Sequence, residues 1–157
     1  MPHDGILRRS TRDVVVSRFQ AHGLVDIAFE GDILLYECRG PFNKELVESL
    51  AVAQRDILQA ADHQSPWVSI CLLRNSAVGS PEAFARYSEL MHAAKPAQFI
   101  PIATAFSVAP EVEGGRLMMP RYAAIYTDIG RPFKVFEQLD EATAWAQALI
   151  AAANADT

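Results

Sequence analysis

Residues 71–91, CLLRNSAVGSPEAFARYSELM, set the fold class. The stretch opens on an apolar, strand-like segment and closes on a helix-like one. Between them, Arg74-Asn75-Ser76-Ala77-Val78-Gly79-Ser80 makes a small-residue elbow. A buried strand handing straight over to a helix is the repeating unit of α/β domains, whose sites collect at the carboxyl ends of the strands. Extended back to Ser65, the strand reads SPWVSICLL, an almost unbroken apolar run suited to a central position covered on both faces. Extended forward, Phe84, Tyr87, Leu90, Met91 and Ala94 share one helical face from Pro81 to Ala94, and Lys95-Pro96 ends it.

The same alternation continues on either side. Upstream, LVDIAFE (24–30) places Val25, Ile27 and Phe29 on one face. Glu30-Gly31-Asp32 separates it from DILLYEC, so a β-hairpin is predicted. DVVVSRF (13–19) is β-branched and reads as a further strand, and residues 1–12 read as a flexible tail. Asn43 is placed to cap KELVESLAVAQRDILQAA, where Leu46, Leu50, Ala53 and Ile57 recur at helical spacing. Downstream, FIPIATAFSVAP supplies a second buried strand. Pro120 fits the first turn of a helix carrying Tyr122, Ile125, Tyr126 and Ile129 on one face, with Gly130 as its stop. FKVF (133–136) is a short strand, and Asp140 is expected to cap a last helix striped with Ala142, Trp145, Leu149 and Ala152. The prediction is an α/β fold: a mixed, mostly parallel sheet with an N-terminal β-hairpin and about four helices, one domain over 13–152.

Composition excludes several classes. Half of the 157 residues are hydrophobic and 21% are charged, ordinary for a globular chain. A net charge of −5, with only Arg8-Arg9 as a dense basic pair, argues against nucleic acid. Two cysteines, Cys38 and Cys71, each inside an apolar run, suit buried thiols rather than a metal site or a disulfide framework. No leader pattern and no membrane-length apolar run is present, so a cytoplasmic protein without an integral membrane segment is expected. No pattern demands a cofactor.

Taken with that element order, the ending FKVFEQLDEATAWAQ resembles the SpoIIAA-like branch of the STAS superfamily, which resembles anti-sigma-factor antagonists and shares features with CRAL-TRIO domains. The marks are Val135-Phe136-Glu137, Asp140-Glu141-Ala142 and Ala144-Trp145, and the similarity in element order spans about 13–152. The resemblance implies a non-catalytic binding or regulatory module. Its partner would be another protein, a second copy of the chain in a homodimer, or a small apolar or anionic ligand. In that family a turn of the form Asp-Ser-(Ser/Thr)-Gly holds a phosphorylatable hydroxyl. Ser76 or Ser80 stands nearest to it here, without the preceding Asp or a directly following Gly.

Two stretches are therefore candidate ligand- or partner-binding sites. Arg74, Asn75 and Ser76 leave the buried strand at its carboxyl end, where a guanidinium could pair with an anion. Arg116, Met118, Met119 and Arg121 follow Gly114-Gly115 and combine adaptable apolar side chains with cations. Ser80-Pro81-Glu82 has a complete explanation as a helix start. A nucleophilic serine would need glycines where Arg74 and Val78 stand, and the only later histidine is His92. His3, His22 and His63 read as solvent-facing, and Glu37, Glu45, Glu48, Asp56, Glu82 and Glu89 as scattered surface carboxylates. The competing reading is a small-molecule enzyme built from the elbow and the Gly-Gly loop.

Overall fold

The computed structural model describes residues 5–16 and 19–156. Its sheet begins with β1 (Leu7–Ser10), which pairs antiparallel with β2 (Leu24–Glu30), and β2 pairs antiparallel with β3 (Ile33–Arg39). Three parallel strands follow, β4 (Val68–Arg74), β5 (Ala103–Val108) and β6 (Phe133–Phe136). All six form one sheet in the order β1-β2-β3-β4-β5-β6. The mixed α/β architecture and the hairpin stand as the residue pattern predicts.

Helices α1 (Lys44–Ala61), α2 (Pro81–His92) and α3 (Gly115–Asp128) make the parallel crossovers, and α4 (Leu139–Ala155) follows β6. The strand period of two sorts side chains between the faces. Leu34, Tyr36, Cys38 and Phe106 join Leu46, Ile57, Tyr122 and Tyr126 in one core beneath α1 and α3. Val68, Ile70, Ala103 and Ala105 meet Ala142, Ala146 and Ile150 of α4 in a second core. Four fully buried alanines line that contact, so α4 lies close against β5. The central strand β4 is thus covered on both sides, which is why its sequence is almost continuously apolar. Among the described residues no helix is long and apolar enough to cross a membrane.

Three boundaries differ from the residue pattern, each for a local reason. The first strand is Leu7–Ser10, inside the stretch read as a tail, and not DVVVSRF. Ser10 Oγ accepts from Arg12 N and starts a short 3-10 turn, in which buried Thr11 accepts the Val25 amide at 3.0 Å. The chain then leaves the sheet, and Val15 stands 89% exposed. A β-branched run becomes a strand only where a half-buried surface receives it. Ser17, Arg18 and His3 lie outside the described residues.

Helix α3 begins five residues before Pro120, which sits inside it. The cause is the glycine pair: a Cβ on Gly114 would come within 2.4 Å of Val78 Cγ2, and Gly114 has a left-handed φ of 71°. Helix α4 begins at Leu139 with Gln138 before it, so Asp140 complements the helix dipole from the first turn and does not cap. His63, expected to face solvent, is half-buried with its ring 4.7 Å from Phe29 and Nε2 2.8 Å from Asp32 Oδ1.

Candidate functional site

The elbow after β4 is built by hydrogen bonds to two other loops. Arg39 and Arg74 are register partners at the ends of β3 and β4, and both reach Glu37 Oε1, at 2.6 and 2.9 Å. One carboxylate thereby bridges both guanidiniums at the surface, and Asp26 Oδ2 stands 3.9 Å from Arg39 Nη1. Asn75 adopts a left-handed φ of 70°, a conformation Asn tolerates, and its Nδ2 donates to Gly40 O at 3.0 Å.

Ser76 turns inward and is 2% exposed. Its hydroxyl donates to Glu113 Oε1 at 2.9 Å and accepts from Val78 N at 3.1 Å. A parallel bridge pairs Ser76 with Glu113: Ala77 N donates to Glu113 O, and Glu113 N to Asn75 O. Ser80 caps α2 by accepting Ala83 N at 3.1 Å, with Pro81 and Glu82 in the first turn as read.

Of the two candidate stretches, the structure therefore joins the elbow to the Glu113–Gly114 loop, by backbone pairing. It does not join them around an opening. Arg116 and Arg121 are exposed on α3, Met118 is buried in the core and Met119 half-buried.

The opening lies elsewhere, between α2 and the sheet. Helix α2 buries a single side chain, Ala83. It is held at a distance by α1, through Arg86 to Glu48, and by α3, through the Tyr87–Tyr126 hydroxyl pair. The gap is a partly open cavity of about 90 Å³. Its floor is Tyr36, Ser69, Cys71 and Phe106, its roof Ala83, Phe84, Tyr87 and Met91, and Tyr122 and Tyr126 form one wall. None of Arg74, Asn75, Ser76, Arg116, Met118, Met119 or Arg121 lines it.

All four tyrosines of the chain converge here. Tyr36 Oη donates to Gln54 Oε1 at 2.6 Å, and Tyr87 and Tyr126 share a hydrogen bond of 2.5 Å. Burial pushes the pKa of each of the four upward, so their hydroxyls stay protonated. The Cys38 thiol is raised well above its usual range by a hydrogen bond with Cys71 and by burial. Among the described residues, no cluster of three or more His, Cys, Asp or Glu side chains is placed to hold a metal ion.

Because the tyrosines titrate higher in the fold than in the unfolded chain, their contribution to stability is full below about pH 10 and is lost as pH rises beyond it. Alkaline titration followed by circular dichroism and tyrosinate absorbance is expected to show one cooperative step above about pH 10. Gradual ionisation without unfolding would contradict this burial.

Residue periodicity marked Phe84, Tyr87, Met91, Tyr122 and Tyr126 as inward stripes, and they are inward. What it missed is the space between them. The available signal was the tyrosines: an inward stripe that only packs favours side chains without a polar atom, since a buried hydroxyl needs a partner. Compared with protein-family models, with curated proteins and with solved structures, the chain finds no match.

Proposed function

We propose that this chain is a non-catalytic binding module whose ligand is a small, largely apolar molecule held in the cavity beneath α2. The observation that carries the reading is the cavity itself, opened where a helix is propped off the sheet by its neighbours instead of packing down on it. Interiors close such gaps at a cost in dispersion contacts when they are left, so a gap lined by aromatic rings with a few fixed polar groups is the usual form of a ligand site. The lining supplies hydroxyls held protonated, two thiols and an amide, groups that orient a ligand. The SpoIIAA-like resemblance of the chain's ending supports the same role, a module that responds to what it binds.

The test uses N-phenyl-1-naphthylamine, a neutral apolar fluorophore. Cys71 stands mid-strand on the cavity floor, half-buried because the cavity reaches it. Cys71→Phe fills the space with a ring. Wild-type protein is expected to enhance the probe's fluorescence saturably, and Cys71→Phe to weaken binding at least tenfold while losing no more than about 1–3 kcal/mol of stability. Equal probe affinity in the two proteins would sink the proposal.

A further inference from the structure

The cavity lining is opposite in sign to the chain. The protein carries 19 acidic against 14 basic residues, yet among the lining side chains there is no Asp or Glu and there are two cations, Lys95 and Arg131. Both stand near the amino ends of the strands. Lys95 follows α2 ahead of β5, and Arg131 follows α3 ahead of β6, whereas Phe42 and Gly79 line the opposite end.

Among the described residues neither cation forms a salt bridge, whereas Arg39, Arg55, Arg74 and Arg86 are each paired to a carboxylate. Lys95 Nζ donates to the carbonyls of Leu90 and Ala93 at 2.5 and 3.1 Å, using two of its three protons at the end of α2. Arg131 lies over the Tyr126 ring at 5.8 Å. Two nearby cations facing an apolar space without a counter-charge form an incomplete electrostatic arrangement. Burial, and then Arg131, hold the Lys95 ammonium below the usual lysine range, in keeping with that crowding.

We infer that the ligand is an amphiphilic monoanion, a carboxylate on an apolar chain or ring. Its head sits between Lys95 and Arg131, and its body lies along Tyr36, Cys71 and Phe106. The inference rests on the binding reading above and adds the head group to it. The carboxylate accepts the remaining Lys95 proton and the Arg131 fork, while the protonated tyrosines leave the rest of the space neutral. Binding restores the balance of charge that the lining lacks.

The experiment is displacement of N-phenyl-1-naphthylamine by octanoate and by octan-1-ol, which share a chain and differ in the head. Octanoate is expected to displace the probe at least tenfold more tightly at neutral pH. The preference should shrink with added sodium chloride. In Arg131→Gln octanoate should fall to the affinity that octan-1-ol has for wild type. Lys95→Gln should do the same, and because Lys95 also holds the end of α2, Arg131→Gln is the decisive variant. If octan-1-ol competes as well as octanoate in wild-type protein, the head-group inference is overturned and the cavity reading stands. If the probe binds but neither compound displaces it, the head-group inference falls alone; if the probe itself fails to bind, the cavity is not a ligand site and both fall together.

Discussion

Gly40→Ala is expected to remove about 3 kcal/mol of stability or more, a large share of what a single domain has. The loop from β3 to α1 crosses the elbow after β4 at this residue. A Cβ added to Gly40 would lie 2.2 Å from Ser76 O, 3.0 Å from Ser76 C and 2.9 Å from Phe42 Cε2. Two of those atoms are backbone, so no rotamer relieves the clash. The loops cannot separate without loss either, because Asn75 Nδ2 bonds Gly40 O and Phe42 pairs with Gly79 just beyond. A shift here would move the start of α2, the roof of the cavity. Gly31→Ala is the contrasting case, a left-handed backbone without a clash: Gly31 has φ of 60° and nothing within 4 Å of the added atom. It should cost only about 1 kcal/mol. Urea denaturation separates the two, and a Gly40→Ala protein as stable as Gly31→Ala would show that the crossing is not tight.

Ser76→Asp should be comparably damaging, at about 3–5 kcal/mol. It places a second carboxylate beside Glu113 at a buried position and removes the hydroxyl that donates to Glu113. Ser76→Ala loses two hydrogen bonds and should cost about 1–2 kcal/mol. Ser80 answers differently to the same change. At an N-cap, Asp is as good as Ser and complements the dipole, so Ser80→Asp should be nearly neutral. A phosphoryl group on Ser76 would therefore require the elbow to open first, whereas one on Ser80 would sit at an accepting helix start. Chemical denaturation of the three variants checks the order. Ser76→Asp unfolding no earlier than Ser80→Asp would mean that Ser76 is not held as described.

Much of the fold was legible in the residues because it rests on short-range periodicity. The hairpin of Val25, Ile27 and Phe29 with its Gly31 turn, the Asn43-capped α1 and the Ser80-Pro81 start of α2 all follow from neighbours within a few positions. The misplacements came from tertiary context. Val14, Val15 and Val16 have strand propensity, but Leu7–Ser10 already occupies the flank of β2. Gly114-Gly115 look like loop residues, yet they are glycines because the start of α3 is pressed against Val78 and Val108. The candidate site divided in the same way. That the strand ends at an elbow was readable, but that Ser76 turns inward to Glu113 depends on a residue 37 positions away. The cavity was illegible for a related reason. A stripe of aromatic residues has the same period whether the helix touches the sheet or is held above it.

The strand order has a consequence for how the molecule assembles. Each strand hydrogen-bonds to the one made just before it, so the sheet grows at a single advancing edge. A nascent chain can add β4 to a finished hairpin, then β5 to β4 and β6 to β5, without inserting a late strand between two earlier ones. No closure spans more than one crossover at any step, which limits its entropy cost. Until α4 arrives, the Val68, Ile70, Ala103 and Ala105 face remains uncovered. Helix α4, made after all six strands, is thus the one that shields this face from association with other chains.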